Sequence, residues 1–355
     1  MTIFIAGICG FVGTSITRFL LEQRPHLQIV GIDNFSRAGT FTNQQILTKL
    51  GVKVFHGDVR ENSDLAALPK LSWVVDAAAN PSVLAGVDGK ASTLQTVQNN
   101  LYGTVNQLEL AAQNNAGFTL LSTSRVYGIK ALQEVPLIVK DDAFKLDIDR
   151  VGPIKGLTAN GIAEDFSTEA PISLYGSTKL SSEILALEYK EIYKIPVYIN
   201  RCGVLAGAGQ FGRPDQGIYS FWINAYQKKR PLKYIGFNGQ GHQFRDCFHP
   251  RDLARLLLKQ MDAGTAGPSR CNLGGGLDNG MSLLQLSKWC HDRYGAHEIT
   301  HSAQERLFDV PWVAMDTSRA TSEWDFKLDV SLHDILTEIA VHAEQNPNWL
   351  EVSGL

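Results

Sequence analysis

The sequence predicts an α/β fold: a doubly wound parallel sheet joined to a smaller mixed α/β C-terminal domain. Two observations predict it. Short, almost continuous apolar runs alternate with stretches whose apolar residues recur at helical spacing, from Thr2 through Ser122. The first of these strand-to-helix junctions is the glycine-rich "GICGFVG", with Gly7, Gly10 and Gly13 three apart. Right-handed crossovers then place any ligand at the carboxyl ends of the strands.

The first strand is Thr2-Ile3-Phe4-Ile5-Ala6, apolar at four of five positions and rich in β-branched residues. Phe11, Val12, Ile16, Phe19 and Leu20 follow at helical spacing, so the glycines occupy the turn between them. Glycine there permits unusual backbone angles and lets the main chain approach a pyrophosphate, which the helix N-terminus attracts through its unpaired N–H groups. An ordinary glycine turn is the alternative. The second strand, Leu27–Ile32, ends in Asp33, about 20 residues past the last glycine, where a Rossmann fold puts its ribose-binding acid. That carboxylate favours NAD over NADP, while nearby Arg37 is of a type that serves a 2'-phosphate. A third strand, Val52–Phe55, leads to Asp58-Val59, with Asp58 read either as an adenine contact or as a cap of the next helix.

Trp73–Ala79 is a fourth strand ending in Ala77, Ala78 and Ala79, small enough for a flat cofactor to lie against. A long helix from about Thr93 to Asn114 and a fifth strand, Phe118–Ser122, follow. The stretch from Ile129 to Thr168 lacks clear periodicity and is expected to form an elaborate loop over the site.

Bulk properties fit a water-soluble enzyme. The chain has 355 residues and a net charge of -3 with acids and bases interspersed, so no basic face for nucleic acid is evident. No apolar run approaches about 18 residues and no signal-peptide pattern opens the chain, which favours a cytoplasmic protein. Cys9, Cys202, Cys247, Cys271 and Cys290 are irregularly spaced; free thiols are expected, with no metal site.

The chemistry sits in "STSRVYG", Ser122 to Gly128, and "YGSTK", Tyr175 to Lys179. Tyr175 and Lys179, four apart, share one helix face. An ammonium near a phenol lowers its pKa from about 10, so that tyrosinate can serve as a base. With Thr123 bonded to the same substrate oxygen, the three form an alcohol-oxidising triad.

These motifs, in this order, resemble the extended short-chain dehydrogenase/reductase family of nucleotide-sugar epimerases and dehydratases. Gly7, Gly10 and Gly13 match its glycine pattern, Asp33-Asn34 with Ser36-Arg37 its "DN-x-SR" turn, Asp58-Val59 its adenine site, and Asn100 to Thr104 its "N-x-x-GT" segment. The resemblance implies catalysis by Thr123, Tyr175 and Lys179. It further implies cofactor contacts from Phe11, Val12, Asn34, Ser36, Arg37, Ala77, Ala78, Ala79, Asn100, Ser122, Tyr175, Lys179 and Arg201, besides the glycines, Asp33, Asp58 and Val59, and a homodimer built on helices at about 93–114 and 174–194.

The segments Gly203–Trp222 and Pro231–Leu253 resemble the CDP-paratose 2-epimerase branch, which implies a CDP-hexose substrate. Arg245 takes the place of the arginine in "RD-x-x-H" that reaches the nucleotide, and a cationic fork suits a diphosphate. His249 reads either as a catalyst or as a structural residue. Gln210, Phe211, Arg213 and Gln216 are candidates for a substrate-gripping loop, or else a solvated one; Asn80, Ser124, Arg125 and Arg306 complete the substrate candidates, with a surface salt bridge as the alternative for Arg306. The dehydratases of the family carry Asp-Glu after the catalytic Thr; Ser124-Arg125 here disfavours dehydration. The expected activity is epimerisation through a transient keto sugar. A net dehydrogenase or a cofactor-sensing regulator are the rivals. Residues 1–204 with about 236–262 are expected to form the NAD-binding domain, and 205–235 with 263–355 the substrate domain. Ser282 is expected to cap a helix, and 333–342 to be an amphipathic packing helix.

Overall fold

The computed structural model describes residues 1–87, 89, 91–152 and 154–355. The N-terminal half alternates β1 (Thr2–Ala6), α1 (Phe11–Gln23), β2 (Gln28–Asp33), β3 (Lys53–His56), β4 (Trp73–Asp76) and β5 (Gly117–Thr123). With Val197–Cys202 and Arg270–Leu273 these strands form one seven-stranded sheet, every neighbouring pair parallel, in the order Arg270–Leu273, Val197–Cys202, β5, β4, β1, β2, β3. Both faces of β1 are covered, which is why its sequence is continuously apolar. Ile3 and Ile5 join a core with Ile16 and Leu20 of α1; Phe4 and Ala6 point the other way, to Val74 and Leu108. The chain leaves β1 toward β2 and β3, then returns to β4 on its other side. This reversal opens a crevice above the carboxyl end of β1.

The long helix between β4 and β5 spans Thr93–Asn114, with the turn Gln98–Tyr102 wound as a π-helix. The stretch 129–168, expected to form an elaborate loop, carries regular elements of its own. This stretch holds a helix (Ile129–Gln133), an antiparallel hairpin (Leu137–Lys140 with Ala143–Leu146) and a two-residue pair (Leu157–Thr158 with Gly161–Ile162). Ile129, Leu132, Leu146 and Phe166 pack with Trp312. Elements of two to five residues are too short to display a period, so the sequence hid them.

A smaller layer pairs Val204–Leu205, Phe244–Phe248, Gly280–Ser282 and Trp312–Val313. The division into domains runs differently from the sequence expectation. Arg270–Leu273, expected in the substrate domain, is an edge strand of the large sheet, and Phe244–Phe248, expected in the NAD-binding domain, belongs to the smaller one. The chain crosses between lobes without a Gly/Ser-rich linker to mark the passage. Ser282 begins the Leu283–Tyr294 helix in a capping box with Gln285. Among the described residues no helix is long and apolar enough to cross a membrane.

Candidate active site

A cleft of about 1100 Å³ runs from the glycine loop, past Thr123 and Tyr175, to Arg245 and Arg306. Its floor at β1 is backbone. Gly7 has φ +67, and a Cβ on Gly13 would lie 2.4 Å from the Gly7 carbonyl oxygen, so α1 packs against the loop only without that side chain. Gly10 begins α1 with no side-chain cap, which leaves the first-turn N–H groups of cleft-lining Phe11 and Val12 for an anion. Ala77, Ala78 and Ala79 line the adjoining wall. An uncapped helix N-terminus above a glycine floor, walled by alanines, fits a dinucleotide pyrophosphate.

Asp33 lies at the end of β2 and lines the cleft. Its Oδ2 accepts from Cys9 N–H at 3.0 Å and its Oδ1 from Phe35 N–H at 2.9 Å; burial raises its pKa and these bonds oppose the rise. The remaining carboxylate lone pairs are suited to ribose hydroxyls. Asn34, Ser36, Asp58 and Val59 line the same end. Asp58 does not cap a helix: the next one starts at Asn62 with Glu61 before it, and the Asp58 carboxylate accepts from Arg60 and from Asn34 Nδ2. Those bonds, that from Arg60 foremost, hold it at about 2. Arg37 lines the cleft, but its guanidinium is spent on Gln216 Oε1 at 2.8 Å and on the Phe211 carbonyl, not held free for a phosphate.

Thr123 ends β5, and Tyr175 stands in the first turn of the long helix Ser173–Tyr193. A Cβ on Gly176 would come 2.2 Å from the Arg125 carbonyl oxygen, so the helix meets the strand end backbone to backbone and draws Tyr175 in. Burial pushes the Tyr175 phenol up to about 12; the Thr123 hydroxyl bond and the Arg125 charge pull it down. Lys179 is 2 % exposed and sits behind the cleft wall, where its charge lowers the Cys202 thiol against a larger rise from burial. All five cysteines are free and buried.

Ser124, Arg125, Arg245 and Arg306 line the far end with Asn80 toward the middle. Arg125 donates to the Phe308 carbonyl at 3.3 Å and has no carboxylate within ion-pair distance among the described residues; burial lowers its pKa to about 10. Arg245 is anchored by the Phe244 and Val310 carbonyls and by Asp309 at 3.3 Å. Sequence reasoning missed Asp309, Phe308, Ser82 and Asp215, all of them cleft-lining. Only Asp215 carried a signal, lying within the loop already singled out.

Three further expected site residues do not line the cleft. Ser122 does not reach the cleft: its hydroxyl donates to Glu183 at 2.5 Å. Arg201, 1 % exposed, is bound to the same Glu183 and likewise does not line the cleft. Asn100 is buried beneath the wall, accepting from Asn80 N–H at 2.8 Å and donating to the Asn80 carbonyl, while its neighbour Asn99 lines the cleft. In each case a buried polar group satisfied by protein has nothing left to offer a ligand. His249 takes its structural reading: Nδ1 caps the Pro250–Ala263 helix by accepting from Arg251 N–H, and Nε2 lies 3.0 Å from Glu338.

Residues 3–274 match the model of the NAD dependent epimerase/dehydratase family. The chain is 27% identical over 349 residues to the CDP-paratose 2-epimerase of Salmonella typhi, covering 94% of this chain and 96% of that one. It is 25% identical over 353 residues to a UDP-glucuronate 4-epimerase of Thermodesulfobacterium geofontis, covering 96% of each. Its fold is similar to that of the UDP-glucuronic acid 4-epimerase of Bacillus cereus, crystallised with UDP-glucuronic acid and NAD, with a TM-score of 0.78 at 24% identity over 97% of this chain and 99% of that one. The chain therefore belongs to the NAD-dependent epimerase/dehydratase family of extended short-chain dehydrogenase/reductases, and is an enzyme whose cofactor is NAD.

Proposed function

We propose that this enzyme is a redox-neutral nucleotide-sugar epimerase acting at C2 of a CDP-linked deoxyhexose. The observation that carries the reading is the convergence of Thr123 and Tyr175 on a cleft whose adjoining positions are Ser124 and Arg125, without the acid pair that dehydration requires. The full-length likeness to a CDP-paratose 2-epimerase supports the choice of carbon and base.

NAD, when bound, supplies reversible hydride transfer. Thr123 orients the sugar hydroxyl and donates to the phenolate of Tyr175, which takes the hydroxyl proton. Arg125 favours that phenolate. Arg245, held rigid by Asp309, and Arg306, which has no side-chain bond among the described residues, present guanidinium groups to the diphosphate. Pinned there, the substrate can turn its keto ring within the roomy cleft before Tyr175 returns the proton. A homodimer through the helices at 93–114 and 173–193 accords with exposed Leu94, Tyr102, Ile184 and Ile192 on them.

A second reading, 4-epimerisation of a UDP-uronate, is favoured by Arg125, a cleft-lining cation with no carboxylate within ion-pair distance among the described residues. Incubating the holoenzyme, without added cofactor, with CDP-paratose, CDP-tyvelose, UDP-glucuronate and other UDP, dTDP and GDP hexoses separates the readings. Proton NMR couplings of the product name the inverted carbon. Accumulation of NADH stoichiometric with sugar would defeat the redox-neutral reading and leave a net dehydrogenase. Tyr175→Phe should lower turnover by about 10²–10⁴-fold.

A further inference from the structure

The loop Gln210–Gln216, offered by the sequence as a sugar grip, is tied to both turns that flank the glycine loop. On one side Arg37 donates to Gln216 Oε1 at 2.8 Å and to the Phe211 carbonyl. A Cβ on Gly39 would meet the Phe211 ring at 2.5 Å, so that ring lies directly on the Gly39 backbone. On the other side Ser82 Oγ donates to Asp215 Oδ2 at 2.8 Å. Arg37 follows β2, Ser82 follows β4, and β1 runs between those strands in the sheet. A segment moored to both turns must cross the carboxyl end of β1, above Gly7 to Gly13.

The loop is also braced from behind. Phe211 stacks on Trp349 with ring centroids 5.2 Å apart and planes 17° from parallel. The Gln210 carbonyl accepts from Trp349 Nε1 at 2.9 Å, and Arg213 Nε donates to the Ser353 carbonyl at 3.1 Å. Internally, Arg213 and Gln216 exchange backbone bonds of 2.6 and 3.1 Å, so the tip is a closed turn and not a slack connection.

We propose that residues 210–217 are a clasp over bound NAD, which must unfasten from both Arg37 and Ser82 before the dinucleotide can leave. The purpose of the clasp rests on the redox-neutral reading: a cycle that returns its hydride to the same sugar is aborted if the reduced cofactor departs midway. Its mechanics do not. Each mooring bond opposes release, and the two moorings lie on opposite sides of the cleft, so their effects should multiply.

The test uses holoenzyme loaded with NADH and chased with excess NAD, release being followed by the loss of NADH fluorescence with no sugar present. Ser82→Ala and Gln216→Ala should each speed release by about tenfold, and the double variant by about a hundredfold, with the affinity for CDP-paratose or UDP-glucuronate unchanged. Ser82→Ala deletes one oxygen, so its release rate decides the matter even if the double variant folds poorly. Release at the wild-type rate in Ser82→Ala and Gln216→Ala, or a loss of sugar-nucleotide affinity with NADH release unaltered, overturns the clasp and returns the loop to the substrate. Because the release measurement contains no sugar and the affinity measurement no turnover, either outcome stands whether the enzyme proves to be an epimerase or a net dehydrogenase.

Discussion

Arg201 and Glu183 face one another as a buried ion pair: Nε lies 3.0 and 3.1 Å from the two carboxylate oxygens, and Nη2 lies 2.7 Å from Oε2. Ser122 donates to the same carboxylate and the Glu164 carbonyl accepts from Arg201 Nη1 at 3.1 Å, so the pair bolts β5 and Val197–Cys202 to the catalytic helix. Glu183→Gln leaves a buried guanidinium without its counter-charge and is expected to cost about 3–5 kcal/mol, read from denaturant unfolding. NAD affinity of the folded fraction should not change. A matched loss of NAD binding would restore Arg201 to the cofactor site.

Asp246 makes stability pH-dependent. Burial raises its carboxyl to about 7, against the Met315 and Gly276 N–H groups that donate to Oδ2, while Oδ1 has no hydrogen-bond partner among the described residues. The folded state thus holds this proton more tightly than the unfolded chain does. The stability it confers is full below about pH 4, declines as pH rises to about 7 and is gone above, a span on the order of 4 kcal/mol. Denaturation midpoints at pH 5 and pH 8 should differ in wild type and converge in Asp246→Asn; an unaltered difference in that variant would place the titration elsewhere.

Arg125 lowers the pKa of Tyr175, and in the proposed mechanism the phenolate is the working form. Arg125→Gln removes that pull, so the rising limb of the pH–rate profile should move to higher pH, with turnover at neutral pH down by about tenfold for each unit moved. Arg125→Lys should recover part of the shift. If Arg125→Gln raises KM alone and leaves the limb in place, the guanidinium binds substrate without tuning the base.

Gly13→Ala drives a methyl group to 2.4 Å from the Gly7 carbonyl and 2.8 Å from Ile8 Cα, both backbone atoms. Either α1 or the loop must shift, and the N–H groups at the helix start shift with it. NAD retention through gel filtration should fall by at least about tenfold, with sugar-nucleotide binding less affected. Full retention would show that the pyrophosphate is held elsewhere.

What was legible in the sequence was local. The β1 run, the glycine spacing and Asp33 at the end of β2 each declare themselves within a few residues, because strand period and turn chemistry are short-range. What stayed hidden depended on a distant partner. Arg201 reads as a free cation at a strand end until Glu183 is brought beside it. Arg37 has the chemistry of a phosphate ligand, yet it is claimed by Gln216, 179 residues away. Lys179 stands at the right spacing from Tyr175, but spacing cannot say that its ammonium is buried behind the wall while Arg125 reaches the phenol's field.

The brace behind the loop has a consequence for biosynthesis. Gly13 emerges early, whereas Trp349 and Ser353, which hold Phe211 and Arg213 in place, emerge more than three hundred residues later. At about 5–20 residues per second the glycine loop waits roughly 15–70 s before the far wall can set. Until Trp349 and Ser353 have been added the loop lacks its brace, so on the proposed clasp a dinucleotide enters unopposed and is shut in only afterwards.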